Sequence, residues 1–268
     1  QRQMCIRDRL GLSFSGNYHH NDGFFTNLHT HKKADKLDNG AGRIGLTWKP
    51  AAHWTTRFIT SYEYSNQGGY PYGLYNADKG TTEAVNYNNE GLYRRNLLTS
   101  GINIRYNGPH ISFNSQTSYQ YIQDKMGIDQ DFSPRNIFYG QNKIRQHMYC
   151  QEFTVKSVNK SRYHWITGAF VFRQTINRKV DLSRFTDTTR HLTNSGIPTQ
   201  GIAFYHQSTL DLLQGLSCSV GLRYDYEHAR CDFSKVQQPL NGNGETKSLE
   251  QFNRSLHFGQ FTPKFSMQ

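Results

Sequence analysis

Residues 216–227 constrain the fold of this chain more than any other stretch, because their side chains alternate in polarity without a slip. One parity is apolar and consists of Leu216, Cys218, Val220, Leu222, Tyr224 and Tyr226. The other parity is small, polar or charged and includes Arg223, Asp225 and Glu227. Successive side chains of an extended chain point to opposite faces, so the stretch predicts a strand with one apolar and one polar face. Its twelve residues exceed the about 5–6 of a typical soluble strand and suffice for the roughly 9–11 of a tilted membrane-crossing strand.

The same period of two predicts about ten strands along the chain. They centre on residues 12–18, 44–48, 54–64, 98–106, 111–121, 149–156, 166–172, 202–210 and 216–227, with a last one starting near Phe261. The eighth is weak, and the seventh is irregular. Ile166, Phe170 and Phe172 are assigned to its apolar face, which leaves Trp165 and Val171 on the polar face, where they need a partner.

The connections between these strands alternate strictly between short and long. The short ones are residues 49–53, 107–109, 158–162 and 211–215, and the long ones are 19–40, 66–91, 122–145, 177–200 and 228–260. Loops beyond about 12–15 residues are uncommon in compact domains, whereas outer-membrane barrels combine short periplasmic turns with long extracellular loops. The pattern predicts an all-β chain, an antiparallel up-and-down transmembrane β-barrel wall.

Aromatic residues cluster at both ends of the predicted strands. Trp48, Trp54 and Tyr106 flank short turns, and Tyr62, Tyr64, Tyr119, Tyr121, Tyr224 and Tyr226 lie nearer the long loops. Two such girdles are typical of a barrel at its two membrane interfaces. Cross-strand aromatic pairs of a soluble sheet are the alternative explanation.

Composition restricts the possible partners. Hydrophobic residues make up 35% and aromatic residues 14% of the chain, and there is no run of 18 apolar residues that would indicate a transmembrane helix. The formal charge is +11, but the basic residues are scattered among acidic ones, which argues against nucleic acid and favours anionic small ligands or lipopolysaccharide phosphates. The four cysteines show no metal-binding or disulfide spacing.

No catalytic or metal motif emerges, so we predict neither enzyme activity nor a cofactor. His19, His20, His29 and His31 are interpreted as solvated loop histidines, because no cysteine or paired carboxylate accompanies them. Ser112 with His110 and Ser208 with His206 each share a strand face, but nothing in the sequence orients or activates either pair.

The ligand-binding candidates lie in or beside the predicted long loops. They are Tyr70, Tyr72, Tyr75, Arg94 and Arg135. Tyrosine offers flat contact area and a hydroxyl at little entropic cost, and arginine holds anionic groups through two donors. The alternatives are that the tyrosines only pack the loop and that the arginines are solvated or contact lipopolysaccharide.

Residues 1–9 have no signal-peptide layout and are interpreted as a non-native leader. Residues 10–268 are interpreted as part of a larger barrel, because a sheet edge cannot stay unpaired in hydrocarbon and ten strands would close only narrowly. We therefore expect that this chain alone does not insert as a stable monomeric pore.

Several phrases in order resemble TonB-dependent outer-membrane receptors of the siderophore branch. They are GLRYDYE at 221–227, QEFTV at 151–155, DQDFSP at 129–134 and FTPKFS at 261–266, and the similarity spans roughly residues 11–268. The resemblance implies active import of a ferric siderophore or similar anionic iron complex. It also implies a Gram-negative outer membrane with its lipid and lipopolysaccharide, and coupling to TonB, ExbB and ExbD through a plug domain.

The departures from the family are the plug domain, its energy-coupling box and the terminal strand, none of which occurs in these residues. Such receptors have about 22 strands around a plugged lumen, so ten strands would be a mid-barrel fragment. A passive porin or adhesin-type barrel stays open as an alternative, and an outer-membrane hydrolase as a weaker one.

Overall fold

The computed structural model describes residues 2–6, 9–158 and 161–268, with side chains from residue 9 onward. Strands dominate these ranges, and no helix in them is long and apolar enough to cross a membrane. The strands are β1 (Arg2–Ile6), β2 (Leu10–Asn21), β3 (Leu37–Trp48), β4 (Trp54–Gln67), β5 (Tyr75–Asn76), β6 (Thr81–Thr82), β7 (Leu92–Asn107), β8 (Ile111–Asp129), β9 (Phe138–Ser157), β10 (Tyr163–Arg184), β11 (Thr189–Leu213), β12 (Leu216–Pro239) and β13 (Lys247–Met267).

All strands except β5 and β6 form one antiparallel sheet of 11 strands in chain order, and β5 and β6 form a small separate hairpin. The ten predicted strands correspond to β2, β3, β4 and β7 through β13, so the predicted up-and-down wall is confirmed. β1 and β13 are the two edges of the sheet and do not pair with each other.

One face of the sheet, called the apolar face below, carries the apolar parity of residues 216–227. Val220 lies opposite Phe265, and Tyr224 lies between Phe204 on one side and Phe261 on the other. Residues directly opposite in an antiparallel pair share a face, so these rings form a continuous apolar surface. Val220 is 58% exposed and Phe265 is 70% exposed.

No second layer covers the apolar face in the described part of the chain. The buried hydrophobic residues there are Val85, Tyr87 and Ala203, which is far too few for the core of a soluble sandwich of this size. An apolar surface left open over many strands is what a lipid-facing wall presents, and it argues against the soluble-sheet alternative.

The structure corrects the faces predicted for β10. Val171 lies opposite Ile202 and Trp165 opposite Ser208, and both partners belong to the apolar face through their pairing with β12. The residues on the polar face are instead Ile166, Phe170 and Phe172. The prediction that Trp165 and Val171 face the polar side is therefore wrong.

The reason for this correction lies in the neighbours of β10. Apolar residues occur on both parities of the strand, so its own sequence does not decide which face is which. The hydrogen-bonded register to β9 and β11 decides it, and the faces of β11 are fixed in turn by its pairing with β12, which alternates cleanly. On the polar face, the rings of Phe170 and Phe172 stack at 5.8 Å, and Phe172 covers Gly201, where a Cβ atom would lie 2.5 Å from the ring.

The short connections are confirmed, and three of the long ones are corrected. The chain between β11 and β12 consists of residues 214–215 only, and β7 joins β8 through residues 108–110. Residues 122–145, 177–200 and 228–260, predicted as loops, are mostly continued hairpins, with β10 running to Arg184 and β11 starting at Thr189. Period-two alternation fades beyond the membrane because both faces become polar, but backbone pairing does not require apolar side chains.

The proposed leader falls partly outside the described residues, since Gln1, Arg7 and Asp8 are not described. The backbone of Arg2–Ile6 pairs antiparallel with β2. Backbone hydrogen bonding at a sheet edge accepts almost any sequence, so a non-native origin of residues 1–9 stays a prediction.

Candidate ligand-binding site

Three loops at one end of the sheet pack into a single cap. L1 comprises residues 22–36 between β2 and β3, L2 comprises residues 68–91 between β4 and β7, and L3 comprises residues 130–137 between β8 and β9. Most loops expose their backbone to water, whereas these three hydrogen-bond to one another. The cap therefore has a defined surface.

Asn27 joins L1 to L2. Its side-chain amide donates to the carbonyl of Tyr87 at 2.8 Å, and its Oδ1 atom accepts from the backbone N–H of Tyr87 at 3.3 Å and of His29 at 3.0 Å. Asn27 is 1% exposed and Tyr87 is 2% exposed. Beside this pair, the N–H of Leu28 donates to the carbonyl of Val85 at 2.9 Å.

The contact between these loops requires glycine at position 68. A Cβ atom on Gly68 would lie 2.3 Å from the carbonyl oxygen of Ala34, which is backbone and has no room to move aside. Lys32 and Glu90 add an exposed ion pair at 2.8 Å across the same seam. The seam depends on shape and hydrogen bonding more than on that pair, since exposed ion pairs contribute little.

Asp129 joins L2 to L3 from the end of β8. One carboxylate oxygen accepts from the N–H groups of Asp131 and Phe132, and the other accepts from the backbone N–H of Asn89 at 3.2 Å. Burial raises the pKa of Asp129, the neighbouring Asp131 raises it further, and the accepted N–H bonds oppose both effects. The carboxylate thus fixes the start of L3 and the end of L2 together.

An aromatic cluster lies where L2 meets L3. The ring of Tyr72 packs edge-on against Phe132 at 5.4 Å and lies 6.0 Å from Tyr70. Tyr72 stays 52% exposed, whereas Tyr70 is partly buried and accepts a bond from the Tyr87 hydroxyl at 3.4 Å on its carbonyl oxygen. Burial raises the pKa of both Tyr70 and Tyr87.

The backbone of this cluster is strained. Tyr70 has φ of 62° and Phe132 has φ of 50°, in the left-handed region that bulky side chains rarely adopt. Such residues cost about 1–3 kcal/mol each and persist where surrounding contacts hold them. The bonds from Tyr87 to Tyr70 and from Phe132 to Asp129 are those contacts.

The other three candidates take no part in the ring contacts of this cluster among the described residues. Tyr75 lies in β5, is 68% exposed and has no ring contact among the described residues. Arg135 is exposed on L3, three residues after Phe132. Arg94 donates from Nε to the side-chain oxygen of Asn66 at 2.9 Å on the parity of the apolar face.

Arg95, which follows the candidate Arg94 directly in the sequence, lies at this end on the polar face. Its guanidinium donates to both carboxylate oxygens of Asp124, at 2.9 and 2.8 Å, and lies 5.5 Å from the ring centre of Tyr93. Arg95 and Asp124 occupy facing positions of β7 and β8, and Tyr93 lies two residues before Arg95 on the same face of β7. Arginine and aspartate separated by 29 positions gave no sequence signal, because only strand register brings them together.

The described residues contain no group of three metal-ligating side chains. His20 bonds instead to the carboxylates of Asp38 at 2.7 Å and Asp22 at 3.0 Å, as an exposed pair of contacts. His206 contacts the Ser208 hydroxyl at 3.0 Å. In the described residues that histidine has no carboxylate partner to orient it, which nucleophile activation would need.

No family model matches this chain. Solved structures do match its fold. The ferric yersiniabactin uptake receptor FyuA from Yersinia pestis matches 97% of this chain with a TM-score of 0.73 at 16% identity. The siderophore receptor PiuA from Acinetobacter baumannii matches 99% with a TM-score of 0.72 at 8% identity, and the ferric citrate transporter FecA matches 99% with a TM-score of 0.69 at 10% identity.

The chain spans 40% of the length of FyuA, 44% of PiuA and 37% of FecA. By their names these neighbours are receptors or transporters of siderophores or ferric complexes, and the fold expected from the sequence resemblance is confirmed. At these identities the likeness concerns the fold alone, a section of an antiparallel barrel wall.

Proposed function

We propose that this chain is part of the barrel of a TonB-dependent receptor in the outer membrane of a Gram-negative bacterium. The whole protein imports a ferric siderophore or a similar anionic iron complex, and TonB, ExbB and ExbD energise it through a plug domain. The observation that carries the proposal is the rigid three-loop cap at one end of an antiparallel wall with an open apolar face.

Within this function, Tyr72 and Arg135 are the proposed ligand contacts of the cap. Tyr72 presents half of its ring to solvent, fixed against Phe132 between two strained residues, so little entropy is lost when a flat ligand stacks on it. Arg135 on L3 supplies a cation for carboxylate or catecholate oxygens. The ring of Tyr70 lies 6.0 Å from that of Tyr72 and is partly buried, and Tyr75 and Arg94 lie at the margin or outside this surface.

Growth of a strain that lacks the full-length gene tests the import function. On a panel of defined ferric siderophores as sole iron source, we expect growth to fail on at least one. Complementation should require both the gene and an intact TonB. Growth restored without TonB would instead support a passive porin, and unchanged growth on every iron source would overturn the import function.

Two substitutions in the full-length receptor test the binding surface. Tyr72→Ala should weaken binding of the transported complex by roughly tenfold, because aromatic contacts of this kind contribute about 1–3 kcal/mol. Tyr75→Ala is the matched control, since Tyr75 is more exposed and touches no other ring in the described part of the chain. Equal losses in the two variants would contradict the assignment of Tyr72.

A further inference from the structure

Four cations form a straight row across adjacent strands on the parity of the apolar face. Arg94 of β7 lies opposite Lys125 of β8, Lys125 lies opposite Lys143 of β9, and Lys143 lies opposite Lys179 of β10. Strands are about 4.8 Å apart, so the row spans roughly 14 Å at the Cα atoms. Arg145 follows Lys143 by two residues on the same face of β9, closer to the membrane, and lies opposite Gln123 and Asn177.

The row has no acidic partners. None of its three lysines forms an ion pair among the described residues, and Arg94 bonds only to the neutral Asn66. The nearby acids are engaged elsewhere. Asp124 points to the other face and binds Arg95, Asp181 pairs with Arg190 at 3.7 Å, and Asp129 is buried in the cap.

Like charges directly opposite each other in a sheet repel, and proteins normally intersperse acids to relieve this repulsion. Here four cations are adjacent, and a groove of about 680 Å³ runs along them. The row therefore lowers the stability of the bare sheet and gains from an anion that bridges several cations at once.

The position of the row identifies the kind of anion. Tyr121 lies on the same strand and the same face as Lys125, four residues closer to the middle of the sheet. Tyr119 and Tyr149 lie beside it on that face, with their ring centres 4.7 Å apart. Four residues of a strand tilted by about 40° rise roughly 10 Å along the membrane normal. That height is the headgroup layer just above an aromatic girdle, within reach of lysine and arginine side chains.

We propose that Arg94, Lys125, Lys143 and Lys179, with Arg145 below them, bind the phosphate groups of a lipid A type amphiphile of the outer leaflet. Its acyl chains lie against the apolar face and its phosphorylated sugars lie along the groove. A free phosphate would lack the apolar contact below the row. The inference depends on the barrel placement and not on the imported substrate.

Binding of purified lipid A to the full-length protein in detergent, followed by native mass spectrometry, tests the site. The variant Lys143→Gln with Lys179→Gln should bind bisphosphorylated lipid A at least tenfold more weakly, since each cation near an anionic headgroup contributes about a factor of five. The control variant Lys156→Gln with Arg178→Gln removes the same charge from the same two strands on the opposite face and should stay within twofold. Equal losses in both variants would overturn the site.

Two further measurements distinguish lipid-bound phosphate from free phosphate and test whether the lysines stabilise the folded sheet. Dephosphorylated lipid A should bind the unmodified protein as weakly as bisphosphorylated lipid A binds the double variant, and millimolar inorganic phosphate should not displace lipid A. Displacement by inorganic phosphate would mean that free phosphate is the occupant.

Without lipid A, the double variant should melt at the same or a higher temperature because repulsion is relieved, and a lower temperature would show that the lysines only support the sheet. If the double variant does not fold, Lys143→Gln alone is measured in the same way.

Discussion

Asn27 illustrates how a single side chain can organise two loops. Its amide satisfies both backbone groups of Tyr87 in a place that water does not reach. Buried backbone groups that lose their partners cost about 1–3 kcal/mol each. Asn27→Ala should therefore release L1 from L2 and raise amide hydrogen exchange by ten- to a hundredfold in residues 85–88. Asn243→Ala, at an exposed position of the β12–β13 connection, is the control and should leave those amides unchanged.

Tyr87 gives the cap a pH dependence. Burial raises its pKa from an ordinary 10 to about 12. Below pH 10 the hydroxyl is neutral whether the cap is closed or open, so the full stability of the cap is present. Between pH 10 and about 12 only the open form ionises, and the cap loses about 2 to 3 kcal/mol as the pH rises through this window.

Ultraviolet titration of tyrosinate measures this effect. The difference between the full-length protein and its Tyr87→Phe variant should show one tyrosine that ionises near pH 12. A difference curve centred at pH 10 would mean that the Tyr87 hydroxyl is solvated and that L1 does not shield it from water.

At the scale of the element, the faces of β10 carry the clearest consequence. Val171 belongs to the apolar face and Phe170 to the polar face, next to Glu152 of β9. A charge on the lipid face near the bilayer middle costs about 2–4 kcal/mol, whereas the polar face tolerates one. Val171→Arg should lower the free energy of unfolding in lipid vesicles by that amount, and Phe170→Arg should lower it less. A larger loss for Phe170→Arg than for Val171→Arg would mean that Phe170 faces the lipid and Val171 the polar side, as the sequence predicted.

The hairpins beyond the membrane are the elements that alternation in the sequence did not predict. β10 and β11 pair through 22 residues up to Arg184 and Thr189, although neither shows alternation there. Such a ladder is held by backbone bonds, and its polar side chains fit water on both faces. Alternation of polar and apolar residues arises where the two faces of a strand meet different environments. Where both faces meet water the alternation is lost, so the sequence does not predict the strand there.

At the scale of the molecule, the open sheet edges predict the behaviour of the isolated chain. β13 has a partner on one side only, and its apolar-face residues Phe261, Phe265 and Met267 are more than half exposed. An edge that stays unpaired in hydrocarbon costs several kcal/mol for each backbone group. Residues 10–268 alone should therefore aggregate or oligomerise in detergent. A heat-resistant monomer that migrates as a compact band on a denaturing gel would contradict this expectation.

Local sequence patterns were enough to predict the class of wall, the number of its long strands and which residues of β12 face which side. Each of these depends on local alternation, and alternation is imposed residue by residue by water on one side and an apolar medium on the other. The three-dimensional structure was needed for the faces of β10, the Asn27 and Asp129 contacts of the cap, the Arg95–Asp124 pair and the row from Arg94 to Lys179. These features depend on strand register and loop packing, which join residues far apart in the chain, and register is set by the pairing of whole strands.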